Sequence, residues 1–115
     1  MRLRELAVLL DCEVLLGEAR LDEIDVKACF AADLMSDVLR FSDSDTVLIT
    51  GLTSVQSVHT ADVADLSAIL FVSNKRPAQA VVDLAAGRDL PLLVTPHAMF
   101  EACGLLYAAH LKAAG

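Results

Sequence analysis

Carboxylates and hydroxyls cluster at two points along this chain where an apolar segment ends. These residues are Asp33, Ser36, Asp37, Thr50, Thr53 and Ser54. Three further candidates follow later apolar segments: Arg76, Thr95 and His97. Such groups can hold hydroxyls, cations or anions, and the backbone amides at the start of a helix favour anions. The pattern predicts a ligand-binding site, with no arrangement typical of a catalytic centre.

The first cluster has two explanations. Asp33, Ser36 and Asp37 could bind a hydroxyl-rich ligand or a divalent cation. The alternative is structural, because Asp or Ser at a helix start caps the helix and acidic side chains in the first turn favour its dipole. Capping is the commoner reason for such a cluster, and we expect Asp33 or Ser36 to cap a short helix that ends near Leu39.

The second cluster, Thr50, Thr53 and Ser54, also has two explanations. Backbone amides at a helix N-terminus bind anions, whereas a β-branched strand end followed by a Ser cap needs no ligand. Gly51 lies between the hydroxyls, and a residue without a side chain lets a ligand approach the backbone closely. This glycine favours the binding interpretation.

Two further candidates for the binding site are Arg76 and His97. Arg76 is the best predicted anion partner, because a guanidinium binds phosphate or carboxylate with two hydrogen bonds; the alternative is a solvated turn residue before Pro77. His97 follows Thr95 at the start of the last predicted helix. The three histidines show no H-x-x-x-H spacing, so we predict no metal site and no cofactor.

The sequence also lacks the motifs of common catalytic sites. Phosphoryl transfer of the P-loop type needs G-x-x-x-x-G-K-[ST], and the five glycines here are scattered. There is no G-x-S-x-G nucleophile elbow. We therefore expect a protein that is not an enzyme.

Composition narrows the class of protein. The 115 residues are 56% hydrophobic and 4% aromatic, which predicts one domain with an aliphatic core. The net charge is −7 and the only local basic pair is Lys75-Arg76, which argues against nucleic-acid binding. No C-x-x-C occurs, and no segment reaches the about 18 uninterrupted apolar residues of a membrane span. These features predict a cytoplasmic protein with free thiols and no membrane partner.

Strands and helices are predicted to alternate. The expected helices cover residues 3–10, 55–65, 77–87 and 96–112, with the short helix through Leu39 described above. The expected strands cover residues 26–30, 46–50, 68–72 and 92–95. Ser54 is the predicted cap of the third helix, and Pro77 should lie in the first turn of the fourth. On the last helix, the predicted core face is Phe100, Cys103, Leu106, Tyr107 and Leu111. The alternation predicts a single three-layer α/β domain whose mostly parallel sheet is flanked by helices, with the polar residues at the carboxyl ends of its strands.

Several short motifs together resemble those of the DRTGG-domain family. They are Asp33–Val38, Ile49-Thr50 followed by Thr53, Thr95, and the pattern of Phe100, Glu101, Gly104, Leu106 and Tyr107. The Asp-Arg-Thr-Gly-Gly string that names the family is absent, and Leu52, Ser54 and Gln56 stand where relatives often carry other polar residues. The resemblance implies a fold like the N-terminal domain of HPr kinase/phosphorylase. It also implies a regulatory or ligand-sensing role without chemistry of its own.

Two functions follow as expectations. The first is a non-catalytic module that senses a small anionic, nucleotide-like ligand at the edge formed by the strand carboxyl ends. The second is a protein-interaction module, either a homodimer or an accessory subunit of a partner enzyme, because a short and very hydrophobic chain can keep an apolar patch for association.

Overall fold

A computed structural model of the chain describes residues 1–114, which form one six-stranded sheet covered by five α-helices. The strands are β1 Glu13–Leu16, β2 Ala28–Ala31, β3 Thr46–Thr50, β4 Ala68–Phe71, β5 Leu92–Val94 and β6 Lys112–Ala113. The helices are α1 Leu3–Leu9, α2 Met35–Phe41, α3 Val55–Val63, α4 Gln79–Gly87 and α5 Met99–Ala108, with a 3-10 turn at Glu18–Arg20. None of these helices is long and apolar enough to cross a membrane.

The sheet is parallel except at one edge. Its strand order is β1-β5-β4-β3-β2-β6, and only β1 runs antiparallel to its neighbour β5. The carboxyl ends of β2, β3, β4 and β5 therefore meet at one edge, which we call the carboxyl edge. Since Glu13 lies opposite Val94, the amino end of the antiparallel β1 reaches the same edge.

Helices cover both faces of the sheet. α1 and α5 pack on the face that carries Val47 and Ile49, whereas α2, α3 and α4 pack on the face that carries Leu48. All five residues of β3 are buried, which explains why this strand is a continuous apolar and β-branched run rather than an alternating one. The predicted three-layer α/β class with a mostly parallel sheet is confirmed.

Three of the helices begin at other residues than predicted. Leu34 is the N-cap residue of α2 and makes no side-chain cap bond, so the prediction that Asp33 or Ser36 caps this helix is wrong. α4 begins at Gln79, so Pro77 lies before the helix and not in its first turn. α5 begins at Met99 rather than Pro96 and ends at Ala108. In each case the residues after the strand form a turn at the carboxyl edge before the helix starts.

The predicted core face of α5 is wrong at two positions. Phe100 is 90% exposed and Tyr107 is 80% exposed, while Ala102 and Leu106 are buried against the sheet. Because α5 is apolar nearly all round, the spacing of its large residues could not select the buried face. The short strand β6 follows this helix and was not predicted, since two residues carry too little pattern to reveal a strand.

Candidate ligand site at the carboxyl edge of the sheet

The Asp33 carboxylate joins the ends of two parallel strands. Its Oδ1 accepts a hydrogen bond from Thr50 Oγ1 at 2.9 Å and another from the Gly51 amide at 2.8 Å. The Leu52 amide donates to Thr50 Oγ1 at 3.1 Å, so the turn after β3 is held from both sides. Within residues 1–114, Asp33 Oδ2 accepts no hydrogen bond, and the residue is exposed. One carboxylate oxygen is therefore structural and the other is available to a ligand.

Lys75 brings a positive charge to the same place. A Cβ atom added to Gly51 would lie 3.2 Å from Lys75 Nζ and 3.7 Å from Asp33 Oδ1, so the ammonium group rests directly over the glycine. Lys75 is exposed and forms no ion pair with any residue that the structure describes. The sequence pattern favours Arg76 as the anion partner, whereas the structure places its neighbour Lys75 beside Gly51.

The turn after β4 determines where Lys75 lies. Ser73 and Asn74 both have positive φ angles, +57° and +55°, in the left-handed region that few residues adopt. Their amides donate to the carbonyls of His97 and Thr95, each at 2.8 Å. The loop after β5 thus holds the turn that presents Lys75 to Gly51.

Arg76 already has a carboxylate partner. Its guanidinium pairs with Glu13 at the amino end of β1 and lies 3.5 Å from Asn74 Oδ1. The hydrogen bond from Arg76 holds the pKa of Glu13 below its ordinary value. An anion could reach Arg76 only in competition with Glu13, which lies 63 residues away in the sequence.

The other predicted residues of the two clusters lie at helix starts. Ser54 is the N-cap residue of α3, as predicted, but its side chain makes no cap hydrogen bond, which leaves the first amides of α3 without that partner. Thr53 is half-buried beside it. Ser36 and Asp37 lie in the first turn of α2, where Ser36 is exposed and Asp37 is half-buried.

Thr95 and His97 are used within the fold. Thr95 is fully buried; its Oγ1 donates to the Leu10 carbonyl at 2.6 Å and accepts the His97 amide at 3.2 Å. His97 Nε2 lies 3.4 Å from Asp11 Oδ2, and its Nδ1 lies 3.6 Å from Glu101 Oε2. Both residues fasten α1 and α5 to the end of β5. Residues 1–114 contain no group of three or more His, Cys, Asp or Glu side chains that could hold a metal ion.

Comparison with known proteins identifies the family. The sequence matches the DRTGG domain over residues 5–109. The chain belongs to the DRTGG-domain family. Its fold is similar to that of a crystal structure of the CBS and DRTGG domains from the regulatory region of Clostridium perfringens pyrophosphatase, complexed with its activator diadenosine tetraphosphate. The TM-score is 0.75 and the sequence identity 18%, over 98% of this chain and 50% of that chain.

This DRTGG domain therefore spans about half the length of the solved regulatory chain that it resembles. No curated protein matches its sequence significantly. The family and the fold that the sequence motifs predicted are both confirmed. The identity of 18% supports the fold alone.

A cleft of the DRTGG domain lies at the opposite edge of the sheet, among the residues that precede the strands. It has a volume of about 540 Å³ and is lined by charged residues. Its three cations are each paired with an aspartate: Arg20 with Asp89, Lys27 with Asp45 and Arg88 with Asp62. Because each cation is paired and the lining also carries further carboxylates, the cleft offers an anion less than Lys75 does, and we favour the carboxyl edge.

Replacing Thr95 by Val in the DRTGG domain is expected to lower the free energy of unfolding by about 1–3 kcal/mol, because the Leu10 carbonyl and the His97 amide lose a buried partner. Urea denaturation followed by circular dichroism measures this loss. Thr53→Val is the control, since Thr53 is half-buried and has no side-chain hydrogen bond among the described residues. A loss no larger than that of the control would show that the Thr95 hydroxyl does not fasten α1 to β5.

Proposed function

We propose that this DRTGG domain is a non-catalytic regulatory module that binds a small anionic, nucleotide-like ligand at its carboxyl edge. The observation that carries the proposal is the placement of Lys75 Nζ over Gly51, beside the Asp33 carboxylate. The solved regulatory region with a similar fold holds a nucleotide activator, which gives the ligand class some support.

Lys75 and the first amides of α3 are the groups that would bind the anion. The Lys75 ammonium is a compact charge that binds phosphate, and it has no carboxylate partner within 4.0 Å among residues 1–114. Gly51 leaves backbone open beside Lys75, where a Cβ atom would lie only 3.2 Å from Nζ. The first amides of α3, preceded by Thr53 and Ser54, add donors and the positive end of the helix dipole.

Asp33 should favour a nucleotide over a simple anion as the ligand. A carboxylate repels phosphate, but it accepts hydrogen bonds from sugar hydroxyls, as acidic residues do in dinucleotide-binding folds. Its Oδ1 is already used by Thr50 and Gly51, while its Oδ2 points to no described donor. A ligand that carries both a phosphate and a hydroxyl-bearing sugar would use Lys75 and Asp33 together. Ser36, Asp37 and Arg76 are proposed as the outer members of this site.

Calorimetric titration tests the proposal directly. The panel is inorganic phosphate, adenosine, AMP, ATP and diadenosine tetraphosphate, each titrated into protein whose folding circular dichroism has verified. We expect the phosphorylated nucleosides to bind more tightly than either adenosine or inorganic phosphate. Binding of no member of the panel would contradict the proposal, and so would equal binding of adenosine and AMP.

The second function, protein interaction, is favoured by the outer face of α5. Phe100, Gly104 and Tyr107 follow i, i+4, i+7 spacing, so they share one side of the helix. Phe100 and Tyr107 are largely exposed, and a Cβ at Gly104 would meet no atom within 4 Å. An open glycine between two aromatic side chains suits close packing of another helix. We propose that a second copy, or a partner enzyme, covers this face.

Sedimentation velocity over a micromolar concentration range tests self-association through this face. The native chain is expected to sediment partly as a dimer, and Phe100→Ser to sediment as a monomer, because the substitution removes an aromatic group from the contact. Phe41→Ser is the matched control, since Phe41 is a half-exposed aromatic residue on α2, on the opposite layer. A native chain that is monomeric at every concentration would exclude the homodimer.

We also propose a cytoplasmic location. The three thiols, Cys12, Cys29 and Cys103, are all unpaired and partly buried. Free, partly buried thiols are typical of proteins that fold in a reducing compartment.

A further inference from the structure

Two aliphatic side chains lie exposed beside the carboxyl-edge site. Leu34 directly follows Asp33 and is 60% exposed, and Val55 directly follows Ser54 and is 44% exposed. Asp33 Oδ1 accepts the Gly51 amide at 2.8 Å, so the two segments that carry these side chains are tied together at the edge. The proposed anion site therefore has aliphatic neighbours that its polar groups do not use.

The two side chains come from neighbouring helices. β2 pairs with β3, and α2 and α3, which follow these strands, pack side by side on the same face of the sheet. Both helices begin at the carboxyl edge, with Leu34 as the N-cap residue of α2 and Val55 as the first residue of α3. The half-buried Leu52 lies in the turn after β3 and packs on the core below. Since the axes of packed helices lie about 8–10 Å apart, both helix starts lie close to the turn at Gly51.

Local structure does not account for either side chain. Polar residues with an acceptor oxygen are preferred at an N-cap, yet Leu34 occupies this position and makes no side-chain cap bond. β-branched residues have a lower helix propensity than unbranched ones, and the exposed Val55 gains little burial in return. Single exposed aliphatic residues need no explanation, but two that border one proposed ligand site favour contact with an apolar part of that ligand.

We propose that the base of the nucleotide packs on Leu34 and Val55, so that the site takes a nucleoside phosphate rather than a sugar phosphate. This inference rests on the proposed function, since Lys75 and Asp33 would bind the phosphate and the sugar of either ligand alike. The face of a base is largely apolar, and packing it on aliphatic side chains removes both surfaces from water. Apolar walls with a few polar groups are the usual form of a small-molecule site.

Calorimetric titration with AMP and ribose 5-phosphate separates this inference from the proposed function. The two probes share a ribose and a phosphate and differ in the base. We expect the native chain to bind AMP about tenfold more tightly than ribose 5-phosphate, because only AMP reaches the aliphatic side chains. Equal affinity for the two probes would overturn the base contact and leave the anion site standing. If neither probe binds, the proposed function fails and this inference fails with it.

Matched variants locate the base. Leu34→Ser and Val55→Ser should each weaken AMP binding about three- to tenfold and leave ribose 5-phosphate binding unchanged. Leu39→Ser and Val63→Ser are the controls: these residues are 51% and 76% exposed near the other ends of α2 and α3, and their variants should change neither affinity. Serine is a preferred N-cap residue, so Leu34→Ser should keep its fold, which circular dichroism checks. If AMP affinity falls no further in Leu34→Ser and Val55→Ser than in the controls, the base lies elsewhere and the inference is wrong.

Discussion

Replacing Lys75 by Gln is expected to raise the dissociation constant of the proposed nucleotide ligand about tenfold. A hydrogen bond to a charged group contributes about 1.5–3 kcal/mol when it is shielded from water, and about 1.4 kcal/mol corresponds to a factor of ten. Because Lys75 is exposed, solvent screening moves the expectation to the lower end of that range. Glutamine keeps much of the side-chain length, so the charge is the main property removed.

Calorimetric titration at fixed ionic strength measures this change, with Lys27→Gln as the matched control. Lys27 is also an exposed lysine, but it pairs with Asp45 at 3.5 Å at the opposite edge of the sheet. The control variant should bind as the native chain does. An equal loss of affinity in both variants would indicate a general effect of net charge. Unchanged affinity in Lys75→Gln would show that the ammonium group does not contact the ligand. The effect should also shrink as salt is added, since exposed charges are screened within about 10 Å at 0.1 M.

Replacing Leu70 by Ala is expected to lower the free energy of unfolding by about 3–5 kcal/mol, the largest stability effect that we predict. Leu70 is fully buried in β4 and lies between Ile49 of β3 and Leu93 of β5. Truncation loses its burial and leaves a cavity that packed strands on both sides cannot readily fill. A domain of this kind is stable by only about 5–15 kcal/mol, so the variant should be close to unfolding.

Urea denaturation measures this loss, with Leu39→Ala as the control. Leu39 lies on α2 and is 51% exposed, so the same truncation there should cost about 1 kcal/mol or less. If the two leucine variants lose equal stability, the centre of the sheet is not the main source of stability. If Leu70→Ala is unfolded in the absence of urea, its loss is at least the whole free energy of unfolding of the native chain, which also agrees with the prediction.

Local pattern predicted much of the fold. The bounds of β3 were predicted as found, because a β-branched apolar run between a turn cluster and a glycine suits a buried strand. Ser54 was correctly placed at the start of α3, although its side chain does not cap the helix. Where the pattern was uniform, it failed: α5 is apolar on all sides, and the sheet rather than the spacing selected Leu106 for burial.

For the candidate site, too, the sequence predicted some features and the tertiary structure decided others. The sequence alone placed Asp33, Thr50 and Gly51 at or shortly after the ends of predicted strands, at the carboxyl edge of a mostly parallel sheet. The pairing of β2 with β3, which lets Asp33 bond Thr50 and Gly51, belongs to the tertiary structure. Only the tertiary structure decided which cation faces them: the antiparallel β1 brings Glu13 to Arg76, and the left-handed turn at Ser73 and Asn74 leaves Lys75 over Gly51. Strand and helix propensities act over a few neighbouring residues. The pairing of charges far apart in sequence depends on strand order and direction, which local propensities do not encode.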